Sequence, residues 1–476
     1  MIEALGISTL LALLILANVD FSAASPEDAA RRLEDLKRNA EAGDAAAQFR
    51  LGRHYFDGVD PTDEDLARGA AWFRKAADQG QAEAQCQLGL CYFVGVGVPI
   101  DWGRSAEWFR KAAELGLAKA QFQLGLWYSH GTGVDKNPER SAQWFRRAAD
   151  QGHAEAQYEL GCCYSEGKGL PRNASQAAQW FRKAADQNFA KAQFNLGVCY
   201  CNGDGLAQDA AQAASWFRKA AESGYPDAQC NLGVLYEKGQ GVVRDVAEAI
   251  KWYRRAAEQD LPNAQFNLGA CFDQGIGVGR NLEEAVRWYR KAADRGSAEA
   301  QFNLGLCCEK GDGLPRDMAE AAKWYRQAAF QGMAKAQCNL GNCYLKGLGV
   351  TRNPVEAVAW YQRAAEQGHA PAESNLGVCL QNGEGAAKDL TVAVGWLHKA
   401  AEQGYPLGQR NLGLSYYEGK GISRNVVEAY KWMQLAAAGG DEGAMKNLPI
   451  IESVMTKAQL AEAKRQAREF KPAPDF

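Results

Sequence analysis

Along most of this chain, apolar residues fall at intervals of three and four, the spacing that gathers them on one face of a helix. In "AKAQFNLGVCY", Ala192, Leu196 and Tyr200 stand four apart. The pattern breaks at Gly203 and Gly205, where "GDG" supplies the left-handed backbone angles that end a helix. It resumes after Asp209 as "AQAASWFRKAAESG". An Asp there accepts hydrogen bonds from the first free amides of a helix, and such a cap is worth ~1 kcal/mol. Arg218 and Lys219 occupy the later turns, where the helix dipole favours cations, and Gly224 follows as a stop signal. The stretch predicts two helices joined by a short turn.

The same pattern recurs. An anchoring leucine, followed by glycine, stands at Leu51, Leu88, Leu124, Leu160, Leu196, Leu232, Leu268, Leu304, Leu340, Leu376 and Leu412. The first interval is 37 residues and the rest are 36. Leu448 keeps the phase, with Pro449 in place of the glycine. A tryptophan ladder runs in step from Trp72 to Trp432, and an Asp or Asn follows the anchor by thirteen residues in ten units, from Asp101 to Asn425. Paired alanines such as Ala220 and Ala221, with Gly197 after the anchor, let helices approach closely. Trp216, Phe217, Leu196 and Tyr200 then fill the space. A lone helix pair cannot cover both its faces, so neighbours must stack. The expectation is an all-α solenoid of about eleven 36-residue helix-turn-helix repeats over residues 44–448. Residues 25–43 would form an N-terminal capping helix, with Ser25 as N-cap and Pro26 at its first position. Residues 449–476 would hold a C-terminal capping helix, opened by the Thr456/Gln459 capping box, and a frayed tail.

The motif A-x-A-Q-x-x-L-G-x-x-Y-x-x-G-x-G-V, an Asp or Asn, then W-[FY]-R-[KR]-A-A-x-Q-G resembles the Sel-one-like repeat family, relatives of the tetratricopeptide repeats. The resemblance implies a right-handed superhelix of helical hairpins that acts as an adaptor or scaffold for protein assemblies. Cysteine-rich members clasp each hairpin with a disulfide from a second helix to the next first helix. Here the corresponding slots hold Ala113 and Gln121, or Ala185 and Gln193, so the clasp is absent.

Composition narrows the function classes. The 54 basic and 57 acidic residues leave a net charge of −3, which excludes a basic nucleic-acid track. The apolar stretch from Ala4 to Val19 is short for a membrane-spanning helix, which needs ~20 residues. It suits the apolar region of a secretory signal, with Ser22-Ala23-Ala24 near a plausible cleavage site, although Glu3 and the lack of Lys or Arg depart from that pattern. Residues 1–24 are thus read as a hydrophobic leader, favouring an exported, periplasmic or membrane-tethered location over the cytoplasm. Contact with a membrane would run only through that segment. Thirteen cysteines point the other way, because seven share one small packing slot and no C-x-x-C pair occurs. That usage fits free thiols better than disulfides or a metal site. The Gly-x-Gly turns lie between two helices and lack a following Lys-Ser/Thr, so turn geometry explains them without a nucleotide. Five histidines show no metal-ligand spacing. Asp150, Asp186 and Glu222 follow Arg146, Arg182 and Arg218 by four residues, the spacing of surface ion pairs. No catalytic constellation and no small-molecule cofactor site is legible.

The candidate binding residues lie on the first helices. By analogy with tetratricopeptide arrays, one face of each first helix lines a concave surface. Two residues before the anchor, a stripe of Phe122, Tyr158, Phe194, Phe266 and Phe302 is broken by Cys230 and Cys338. It either holds a peptide or packs against the neighbouring first helix. One residue before the anchor, Asn195, Asn231, Asn267 and Asn303 would form a hydrogen-bonding ladder between repeats or bind a partner's backbone. Variable positions such as Lys238 and Lys310 form a polar rim. The sequence therefore reads as a non-enzymatic scaffold for a protein or peptide partner. The alternatives are a hydrolase of β-lactams or cell-wall fragments, as suggested for cysteine-rich relatives, and a purely structural spacer.

Overall fold

The computed structural model describes residues 26–58 and 60–472. The leader at 1–24, the N-cap assigned to Ser25 and the end of the tail lie outside them. Twenty-five helices and no strand occur among the described residues. The chain divides into two compact units, Met1–Arg244 and Asp245–Phe476. In the first, the helix Pro26–Glu41 is followed by alternating first and second helices from Ala45–Phe56 to Pro226–Lys238. The second begins with Val246–Glu258 and alternates likewise to Glu442–Glu452, after which comes Lys457–Glu469. Within each unit successive helices pack on one another, and each unit is an all-α solenoid. None of the described helices is long and apolar enough to cross a membrane.

Local sequence sets the helix ends. All ten predicted Asp and Asn caps, from Asp101 to Asn425, accept from amides of the first turn. Thr456 and Gln459 form the reciprocal capping box. Two glycines have no substitute. At Gly205, with φ +75°, a Cβ would stand 2.2 Å from the carbonyl of Ala174. At Gly197 a Cβ would stand 2.6 Å from the ring of Phe217. The glycine after the anchor thus lets the second helix's aromatic ring lie against the first helix.

Burial follows the two ladders. Trp108, Trp180, Trp216, Trp252, Trp288, Trp324 and Trp360 are between 5 and 9% exposed. Indoles of this ladder seal joints between repeats. Trp180, for example, shares a cluster with Phe145, Ala148 and Ala149 of the preceding second helix and with Ala156 and Leu160 of its own first helix. A cation one turn on covers the indole face, as Lys183 Nζ does 3.7 Å from the Trp180 ring centre. The residue after the tryptophan is fully buried: Phe109, Phe145, Phe181 and Phe217 in the first unit, Tyr253, Tyr289, Tyr325 and Tyr361 in the second.

A polar feature closes ten of the eleven joints. The Gln three residues before the anchor is buried, and its Nε2 donates to the carbonyl of the alanine eight residues earlier, at the end of the preceding helix. Gln121 bonds to Ala113 at 3.0 Å, Gln193 to Ala185 at 3.2 Å and Gln301 to Ala293 at 3.1 Å. In several repeats its Oε1 accepts from a second glutamine just after the repeat's own second helix, as from Gln151 to Gln121 at 2.7 Å and Gln331 to Gln301 at 2.8 Å. Where that second position is Ser223, Oε1 of Gln193 stays buried without a partner. The slots that a disulfide would clasp thus carry a hydrogen bond, and no disulfide forms among the described cysteines.

One repeat breaks this rule. Glu373 replaces the glutamine, is 2% exposed and accepts from Gln403 Nε2 at 2.8 Å. A carboxylate has no proton to give the carbonyl that glutamine serves elsewhere. Burial raises its pKa to about 7, against the pull of Lys399. The folded chain therefore keeps this proton up to about 7, while the unfolded chain releases it near 4.5. Between those values the folded state holds more protons, so stability falls as pH rises through that window and stays lower above it. Glu373→Gln should raise stability by ~1–3 kcal/mol at a pH near 8 and change it little near pH 4.5. Urea titrations of both proteins at the two pH values check this, and an equal gain at both would contradict it. Trp180→Ala should cost ~3–5 kcal/mol in the same assay; a loss under ~1 kcal/mol would show that the indole does not seal the joint.

Candidate functional site

The five stripe aromatics are all half-buried, and each packs against the second helix of its own repeat. Phe122 lies 5.9 Å from Phe145, Tyr158 5.8 Å from Phe181, and Phe194 5.6 Å from Phe217, between ring centres. Phe266 meets Tyr289 at 5.8 Å and Phe302 meets Tyr325 at 5.9 Å. The residue before the next first helix covers another edge: His153 stacks on Phe122 at 4.9 Å, and Phe189 and Tyr225 lie against Tyr158 and Phe194. Each ring therefore rests on its own hairpin, and Phe122 and Tyr158 also join clusters that include the next first helix. Each side chain stays partly accessible to solvent.

The asparagines before the anchor are half-buried at Asn195, Asn231, Asn267 and Asn303. In the second unit they reach back one repeat. Asn303 bonds to the Tyr289 hydroxyl, which donates to Asp273 at 3.3 Å. Asn339 bonds to Tyr325, whose hydroxyl donates to Glu309 at 2.5 Å. Asn375 donates to Asn342 Oδ1 at 3.2 Å, and Asn411 to Ser374 Oγ at 3.4 Å. Burial and the adjacent carboxylates push the Tyr289 and Tyr325 hydroxyls well above the usual range, so they remain donors. Lys238 and Lys310, the last residues of their helices, are exposed.

Arg146, Arg182 and Arg218 do not pair with Asp150, Asp186 and Glu222. They turn to the hydroxyls of Tyr164, Tyr200 and Tyr236 on the next first helix, the last at 2.5 Å. Arg74 and Arg326 do the same with Tyr92 and Tyr344. These contacts join repeats, which the four-residue spacing did not signal.

In the second unit, the first-helix face opens into a groove of about 410 Å³. Phe302, Lys335, Asn339, Asn342, Asn375 and Tyr405 are among its lining residues. Asn342 was not singled out in the sequence; the available signal was an amide where other first helices carry Leu306, Val378 or Leu414. The thiols are poor candidates for chemistry. Burial pushes Cys86 and Cys91 up to about 12 and Cys163 and Cys199 up to about 11, which keeps them protonated at neutral pH. Among the described residues no group of three His, Cys, Asp or Glu side chains is placed to hold a metal ion.

The Sel1 repeat pattern matches eleven consecutive segments: 45–81, 82–117, 118–153, 154–189, 190–225, 226–261, 262–297, 298–333, 334–369, 370–405 and 406–441. The solved structure of c5321, a protective antigen of uropathogenic Escherichia coli with an SLR fold, is similar at 38% identity and a TM-score of 0.80. The match covers 92% of this chain and 94% of that one. A Sel1 repeat protein of Oxalobacter formigenes is 34% identical with a TM-score of 0.53, over 70% of this chain and 93% of that one. No curated protein matches the chain. With its helix pairs, its turns and eleven matched segments in phase, the chain belongs to the Sel1 repeat family.

Proposed function

We propose that this protein is a non-enzymatic scaffold that holds a protein or peptide partner against the face of its first helices. One observation carries the reading. The residue after each tryptophan is buried, as Phe145, Phe217 and Tyr325 are, whereas Phe122, Tyr158, Phe194, Phe266 and Phe302 each leave part of a ring in solvent on one helix position. Half-exposed rings fixed by their own hairpins are rigid apolar contacts that lose little entropy on binding. Asn195, Asn231, Asn267 and Asn303 stand beside them, and Lys238 and Lys310 supply exposed cations to select among partners. The hydrolase alternative gains nothing from the protonated thiols or from the relatives above, and a bare spacer would have no need of half-exposed aromatics.

A photo-crosslinking residue placed at Asn303 or Lys310 should capture a defined partner in the native cell. The same residue at Arg290, exposed on a second helix, should not. The combined changes Phe194→Ser, Phe266→Ser and Phe302→Ser should lower the crosslinked yield roughly tenfold or more while circular dichroism stays helical. Undiminished crosslinking in a folded triple variant would refute the assignment of this face.

A further inference from the structure

Three features of the second unit's groove favour one kind of ligand. Cys338 stands where the preceding two repeats carry Phe266 and Phe302, and the smaller side chain leaves the groove open. Asn342 stands where aliphatic residues occupy most other first helices. Lys335 and Lys346 bracket the same helix, and none of the other ten first helices has lysine at both positions.

The hydrogen bonding leaves donors unused. Asn342 Oδ1 accepts from the Tyr361 hydroxyl at 2.7 Å and from Asn375 Nδ2 at 3.2 Å, so its own NH2 points elsewhere and has no protein acceptor among the described residues. Neither lysine forms an ion pair with a described residue, and both are exposed. Nδ1 of His369 is buried without a partner, and burial, with Lys335 nearby, keeps that ring neutral. The lining holds no Asp or Glu, in a chain whose net charge is −3. Phe302, Tyr405 and Leu407 supply an apolar wall.

We propose that this groove binds an extended acidic peptide segment of a partner protein, with carboxylates on Lys335 and Lys346 and a main-chain carbonyl on the Asn342 NH2. An aliphatic side chain of the peptide lies between Phe302 and Tyr405. The proposal rests on the scaffold reading of the first-helix face and adds the chemistry of its partner. Lys335 and Lys346 are eleven residues apart on one helix, or ~16 Å. An extended peptide covers that distance in about five residues. The matching probe is Ac-DGLVGD-NH2 carrying a fluorophore, with Ac-NGLVGN-NH2 and Ac-KGLVGK-NH2 as controls.

Fluorescence anisotropy with the full chain at low ionic strength should show the acidic probe binding roughly tenfold or more tightly than the amide control, and the lysine control not binding. Lys335→Glu with Lys346→Glu should abolish that binding. Asn342→Leu, which installs the residue type of other repeats, should weaken it several-fold, and the thermal melt of the double lysine variant should match the parent. Equal affinity for the acidic and amide probes, or unchanged affinity in the double variant, would overturn the proposal. Pro472 packs beside Gly404, next to Tyr405, so a chain ending at Pro472 belongs in the same assay. Binding seen only with that shortened chain would assign the groove to the protein's own tail and also overturn the proposal. If the acidic probe fails while crosslinks from Asn303 persist, the chemistry proposed for the groove falls and the scaffold reading stands. Failure of both removes the two together.

Discussion

Stacking helix hairpins buries the end of one second helix against the start of the next first helix, and the carbonyls there must find donors or destabilise the joint. The glutamine three residues before ten of the eleven anchor leucines meets that demand. Gln121, Gln193 and Gln301 each donate to the alanine carbonyl across the joint, in the slots where cysteine-rich relatives of this family carry a disulfide. The rest of the repeat serves this close approach. Small alanines line the contact, the glycine after the anchor admits the buried ring, and the tryptophan seals the edge with a cation over its outer face. A joint made of hydrogen bonds and apolar surface is indifferent to redox conditions, and no disulfide forms among the described cysteines.

Because the joint uses a fixed set of positions, the remaining ones are free to vary, and they do so on the first helices. In the second unit the buried ring after the tryptophan is Tyr at Tyr289, Tyr325 and Tyr361, and each hydroxyl carries a hydrogen bond toward the outer half of the first helix. Those hydroxyls organise Asn303, Asn339 and Asn342, and with them the groove. Binding chemistry in this fold is thus built one substitution at a time on an unchanged frame. Cys338 opens space, Asn342 presents an amide, and Lys335 and Lys346 add charge.

Period and turn chemistry made the frame legible before any coordinates. Asp209, Gly203 and Gly205 act locally, and each sits where its backbone preference places it. Side-chain partners between repeats were not legible, because a 36-residue repeat says which positions recur and not which of them meet. Arg146 and Asp150 have the spacing of an ion pair, yet the tyrosine of the next repeat is the better-placed acceptor. The stripe aromatics were divided between peptide and neighbouring first helix, whereas Phe194 rests on Phe217 of its own hairpin. The buried glutamine was visible as part of the motif, but a polar residue reads as surface until its carbonyl partner eight residues earlier is known. Glu373, a single acid at a position otherwise glutamine, was the one available hint that this slot is buried and selective.

The most direct test of this account is the denaturation of Gln301→Leu, which keeps side-chain volume but removes both polar groups of one joint. Urea unfolding followed by circular dichroism, with and without reductant, should show a loss of ~1–3 kcal/mol that is the same in both conditions. A variant as stable as the parent, or a parent protein that reductant destabilises, would contradict the claim that buried glutamines and not covalent clasps hold the repeats together.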